Sequence, residues 1–210
     1  MKGWRFVRRQ EGFGVAKAVW TQLPQRIETL VRKGQTIDKP PASELSAALD
    51  DYEARIGFRL PKSYREYMEW FGPGALSSWF QICGPIPPRL RGRVARVYDI
   101  DRQREMIEDP NGFWASSVSP EVLLRLVLFA STEGGDWFFW DAADVRSKAA
   151  HEYGVYGHAH GRDGGEVELV APNFKTFVTD VALGDRYPFA GDEREPEWSF
   201  WPGWPSKKRK

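Results

Sequence analysis

Leu45, Leu49, Tyr52 and Ile56 recur at intervals of four, three and four, which places all four on one face of a helix. Ser43 is the expected N-cap of that helix and Gly57 its stop. A second stripe, Tyr64, Tyr67, Met68 and Phe71, begins after Pro61 and ends at Gly72-Pro73-Gly74, so two helices in succession are predicted. Upstream, Leu23, Ile27, Leu30 and Val31 also fall at helical spacing, with Pro24 suited to a first turn. Residues 1–40, which add Trp4, Phe6, Phe13 and Trp20, are therefore expected to form a helical extension stopped by Gly34. The stretch Asp38-Lys39-Pro40-Pro41 reads as a linker, because proline fixes φ and removes a donor.

Downstream the period shortens. Trp79 to Ile82 and Val94 to Tyr98 are short strand-like runs, Ile100 to Glu108 a short helix, and Pro110-Asn111-Gly112 a turn. Leu126 to Ala130 predicts a buried strand, Glu133-Gly134-Gly135 a turn, and Trp137 to Trp140 the returning strand, with Asp136 and Asp141 at its two ends. Four consecutive aromatic residues there imply cover on both faces of the sheet. Tyr153 to His158 and Glu166 to Val170 predict further strands, and Asn173 caps a last helix carrying Phe174, Phe177, Val178 and Val181. Helices, strands, a helix, strands and a helix in that order predict an α+β fold, without the strict alternation of a parallel sheet. The expected division is an extension over 1–40, a core over 41–184, and a Trp/Pro-rich segment with a basic tail over 185–210.

Length and composition narrow the class. The 210 residues suit one core domain with extensions, and the 41% hydrophobic content is that of a globular chain. No apolar run approaches the ~20 residues of a membrane span. The basic N-terminus lacks the apolar stretch of a secretory signal, so a cytoplasmic protein is expected. The single cysteine, Cys83, excludes an intramolecular disulfide and is expected to be a small buried apolar group. The net charge of +1 conceals a gradient: residues 1–40 carry nine basic against three acidic groups, residues 127–205 six against fourteen. An acidic surface repels nucleic acid and draws basic proteins toward it, so a protein partner is expected.

Three stretches resemble the SUKH superfamily, the Smi/Knr-like family that includes bacterial immunity proteins and fungal regulators of cell-wall synthesis. The most specific runs from Leu49-Asp50-Asp51-Tyr52 through Ile56-Gly57-Phe58-Arg59-Leu60-Pro61 to Tyr64-Arg65-Glu66-Tyr67, similar to the family's opening helix, its G-x-x-L-P turn and its second helix. The others are Leu128 to Asp141, a strand, a Gly-Gly-Asp turn and an aromatic strand, and the helix from Asn173 to Leu183 behind Val167-Glu168-Leu169-Val170-Ala171. The resemblance implies a mixed, mainly antiparallel sheet packed by helices, and a family in which many bacterial members bind and neutralise a cognate toxin. It implies no catalytic residues and no cofactor.

Candidate chemistry is sparse. His158 and His160 alternate as two metal ligands on a strand would, with His151, Asp163 and Glu166 nearby in sequence, but no closed metal-site spacing is present and ordinary polar histidines are expected. Gly134-Gly135-Asp136 lacks the lysine and following helix of a phosphate loop. No nucleophile–base constellation emerges, and a non-enzymatic binding protein is expected. Partner-binding candidates are Glu133, Asp136, Trp137, Asp141 and Asp144 with Trp79, an acidic and aromatic set on the sheet domain. The expected partner is a cognate toxin domain, with a regulatory scaffold binding endogenous proteins as the alternative, and neither nucleic acid nor membrane. Trp198, Trp201 and Trp204 are expected to pack back on the core, and Lys207 to Lys210 to form a solvated tail.

Overall fold

The computed structural model describes residues 19–31, 35–109, 125–160, 167–189 and 197–208. Trp4, Phe6, Phe13, the Pro110 turn, Asp163 and Glu166 lie outside them. The first amphipathic stripe forms a helix over Ala42–Ile56 (α2), which buries Leu45, Leu49 and Tyr52 and ends at Gly57 in the left-handed conformation, φ 65°. Its N-cap is Pro41, not Ser43: the amides of Glu44 and Leu45 both reach the Pro41 carbonyl, two residues earlier than expected. The second stripe forms Lys62–Trp70 (α3), which buries Tyr64, Tyr67 and Met68.

One sheet of eight strands carries these helices. In chain order they are Glu28–Thr29 (β1), Gly74–Leu76 (β3), Phe80–Ile82 (β4), Leu126–Thr132 (β5), Trp137–Ser147 (β6), Glu152–His158 (β7), Glu168–Ala171 (β8) and Ser199–Pro202 (β9). Their spatial order is β1-β9-β3-β4-β5-β6-β7-β8, and every pair except the parallel β1–β9 is antiparallel. A separate ribbon pairs Gln35–Ile37 (β2) with Ser206–Lys208 (β10). The fold is α+β, as the order of elements predicts, with the mixed, mainly antiparallel sheet that the family resemblance implies.

Two expected elements take another form. The stripe from Leu23 to Val31 is one helical turn, Leu23–Arg26 (α1); Ile27 then turns extended, ψ 123°, and the chain enters β1. The amides of Glu28 and Leu30 go to the carbonyls of Trp198 and Phe200, so a strand partner from the far end of the chain replaces helical bonds. Val94 to Tyr98 is not a strand, since β4 already has β3 and β5 on its two edges; the chain makes a 3-10 turn at Arg96–Tyr98 before helix Ile100–Glu108 (α4). Asn173 caps the last helix as expected, its side chain accepting from the Thr176 amide, and α5 (Phe174–Thr176) continues as a π-helix over Phe177–Ala182.

The main core lies between the helices and one sheet face. Trp140 stacks on Phe129 at 4.3 Å and meets Tyr64 edge-on at 4.8 Å, while Phe174 packs edge-on against Tyr64 and Tyr67. Trp204 is buried and Trp201 is 38% exposed, so the C-terminal tryptophans divide between core and surface. The basic run is not wholly solvated: Lys207 lies in β10, 3.2 Å from Asp38.

A buried carboxylate ties sheet to helix. Glu152, the first residue of β7, accepts from the Ser63 amide at 3.0 Å and the Ser63 hydroxyl at 2.8 Å, closing the N-terminus of α3. Burial raises its pKa above the ordinary 4.5. The folded state therefore holds this proton more tightly than the unfolded chain, so the associated stability is present below pH 4.5 and is lost as pH rises through the raised value. Glu152→Ala, which strands the Ser63 amide, is expected to cost about 2 kcal/mol. Glu152→Gln keeps an acceptor and is expected to compare better with wild type at pH 7 than at pH 4, as urea unfolding at the two pH values will measure.

Candidate functional site

Two hairpin tips meet at one end of the sheet. The β3–β4 tip turns through Ser77 and Ser78, both left-handed at φ 56° and 52°, a costly conformation for residues with a Cβ. It is held by the Ser77 amide on the Ser199 carbonyl at 2.8 Å and by the Ser78 hydroxyl on Glu197 at 3.2 Å. The β5–β6 tip, Glu133-Gly134-Gly135, lies alongside: the Glu133 amide donates to the Trp79 carbonyl at 3.2 Å, and the Trp79 ring lies so close to Gly134 that a Cβ there would meet it at 3.0 Å. Trp79 is half-buried, while Glu133 and Glu197 are exposed. Tyr98 adjoins them, its phenol pKa raised by burial and then by the Glu133 charge.

Asp136 sits beneath this surface. It is buried, and its carboxylate accepts from the Thr132 hydroxyl at 3.1 Å, the His160 amide at 2.7 Å and the Tyr187 hydroxyl. Burial, and then the Asp136 charge, push the Tyr187 phenol up, so it stays protonated as a donor. The expectation that Asp136 faces a basic partner is thus corrected: the polar groups it holds leave no free carboxylate. The same correction applies to Asp141, buried in β6, where Arg125 lies 3.1 Å away and the Ala143 amide 2.9 Å away.

Trp137 follows directly on the β5–β6 tip but faces away from its cluster, and Asp144 lies farther along the strand. Phe138 packs on Phe177 of the last helix, so its neighbour Trp137 points to the other sheet face, in one cross-strand row with Gln81, Ser131 and His158. Asp144, farther along β6, accepts from the Tyr156 hydroxyl at 2.9 Å and pairs with Arg146. Of the six candidates, Trp79, Glu133 and Asp136 converge; Trp137, Asp141 and Asp144 do not join them. Sequence reasoning missed Ser77, Ser78, Tyr98, Tyr187 and Glu197. Ser77-Ser78 between two apolar runs was the available turn signal; nothing local brings Tyr187 and Glu197 here, because Asp136 and Ser78, which they meet at the tips, lie far away in sequence.

The histidines do not form a ligand pair. β7 ends at the buried His158, and the exposed His160 follows the strand, with its ring against Gly135. No group of three metal-ligating side chains occurs among the described residues. Cys83 is 1% exposed and burial pushes its thiol up, which leaves a packing group. Among the described residues no helix is long and apolar enough to cross a membrane.

No curated protein and no solved structure matches this chain. Residues 45–180 match the SMI1 / KNR4 family (SUKH-1), a span that runs from the first turn of α2 to the last helix and includes both hairpin tips. The chain belongs to the SMI1 / KNR4 family (SUKH-1).

Proposed function

We propose that the chain is a cytoplasmic immunity protein that neutralises a cognate toxin by binding it, without catalysis, through the end of the sheet where the two hairpin tips meet. The observation that carries this reading is the convergence of Trp79 and Tyr98 with the exposed carboxylates of Glu133 and Glu197, on a tip that holds two serines in left-handed conformation. Half-buried aromatic rings with a polar rim are the usual anchors of protein interfaces. The two carboxylates suit a basic partner, and Asp136 beneath them keeps the tip in shape. Steric occlusion of the toxin needs no reacting group on this side.

Co-purification of the tagged chain from its native cells, followed by mass spectrometry after a moderate salt wash, tests the reading. A single basic toxin domain is the expected catch; recovery of only endogenous regulatory proteins would replace it with the scaffold alternative. With the partner in hand, Glu133→Lys together with Glu197→Lys is expected to slow association about tenfold and flatten its salt dependence. Stopped-flow mixing at two ionic strengths measures this, and an unchanged rate would move the interface elsewhere.

A further inference from the structure

Helix α2, the chain over 85–96 and α4 enclose a groove of 1130 Å³, larger than the ~300–1,000 Å³ of a typical small-molecule site. Ile56, Ile86 and Val94 give it an apolar floor, and Ala47 and Ala48 on α2 leave it wide. The acidic side chains along its helical walls are engaged. Arg55 bridges Asp51 and Asp101 at 3.0 Å each, Arg102 holds Glu105, Arg104 holds Glu108, and Asp99 caps α4 through the Asp101 amide.

The third wall differs in kind. Residues 88–96 carry four arginines and no acid. Arg89 and Arg93 reach Asp38, at 3.6 and 3.0 Å, and Arg89 also holds Glu44 at 2.8 Å, which pins the segment. Arg91 and Arg96 instead line the groove, both exposed, and neither forms an ion pair with a described residue. Two exposed guanidinium groups, beside an apolar floor, complement carboxylates carried on an apolar chain. Nucleic acid fits less well, since its affinity comes from neutralising many phosphates and the floor offers no cations.

We propose that this groove docks an extended acidic segment of a partner protein, its apolar side chains on the Ile56–Ile86–Val94 floor and its carboxylates on Arg91 and Arg96. The site is separate from the hairpin tips and stands or falls independently of the toxin-binding reading.

Fluorescence anisotropy of the full chain with a labelled peptide of about ten alternating leucines and glutamates tests it, with the leucine–lysine counterpart and a single-stranded oligonucleotide as comparators. Preferential binding of the acidic peptide is expected. Arg91→Ala with Arg96→Ala is expected to weaken it at least tenfold with unfolding unchanged, because both side chains are exposed and neither pairs with a described residue. Ala48→Trp, which fills the groove from a half-buried position, is expected to block it, whereas Trp79→Ala at the hairpin tips should leave it intact. Absence of acidic-peptide binding, equal affinity in the double arginine variant, or preference for the lysine peptide or the oligonucleotide would overturn the proposal.

Discussion

Asp136→Ala is expected to destabilise the protein by about 3 kcal/mol, the upper end of the cost of leaving buried donors without their acceptor. Three groups lose their acceptor at once: the His160 amide, the Thr132 hydroxyl and the Tyr187 hydroxyl. Tyr187 is itself packed edge-on against Phe80 at 5.9 Å and Phe189 at 5.5 Å, so it cannot swing freely to water. Asp136→Asn retains one carbonyl oxygen for the His160 amide and should recover more than half of the loss. Urea unfolding measures both variants. The comparison also matters for function, because any fall in partner affinity that tracks the fall in stability is indirect. A stability change below about 1 kcal/mol in the alanine variant would mean that Asp136 does not hold the tip, and would return it to the exposed acidic surface.

Burial of this kind is where sequence reading stopped. The α2 and α3 stripes and the cap at Asn173 were legible because each is a local pattern: a 3.6-residue period, a glycine stop, a side chain bonding three residues ahead. The β5–β6 hairpin was legible for the same reason, a turn between two apolar runs. By contrast β1 has two residues and pairs with β9 some 170 positions away, so neither period nor turn announces it, and Leu30 and Val31 completed a false helical stripe. The acidic candidates failed in a related way. A carboxylate's sequence neighbours do not reveal whether Arg125 or Tyr187 will reach it, so Asp136 and Asp141 looked the same as the exposed Glu133. The arginine-rich 88–96 segment was visible as composition, but only the fold separates the two arginines held by Asp38 from the two that face the groove.

The family match ends at residue 180, yet β9 lies in the sheet between β1 and β3, and the second large effect is expected there. Trp204, two residues beyond β9, is 3% exposed and joins the main core, and the neighbouring Gly203 amide bonds the Pro73 carbonyl at 2.8 Å. Trp204→Ala should cost about 4 kcal/mol, the usual loss for a buried tryptophan, and should expose 197–208 to protease before the rest of the chain. Gly72 supplies the control. Its φ of +78° and its contact with the indole, where a Cβ would come within 2.2 Å of the ring nitrogen, make Gly72→Ala destabilising in the wild-type background. In the Trp204→Ala background the steric part of that cost disappears and only the backbone part, about 1 kcal/mol, remains. The double variant should therefore be clearly more stable than the sum of the two losses predicts. Strict additivity would mean that the indole does not sit on Gly72, and that the C-terminal segment is an appendage to the sheet and not one of its structural members.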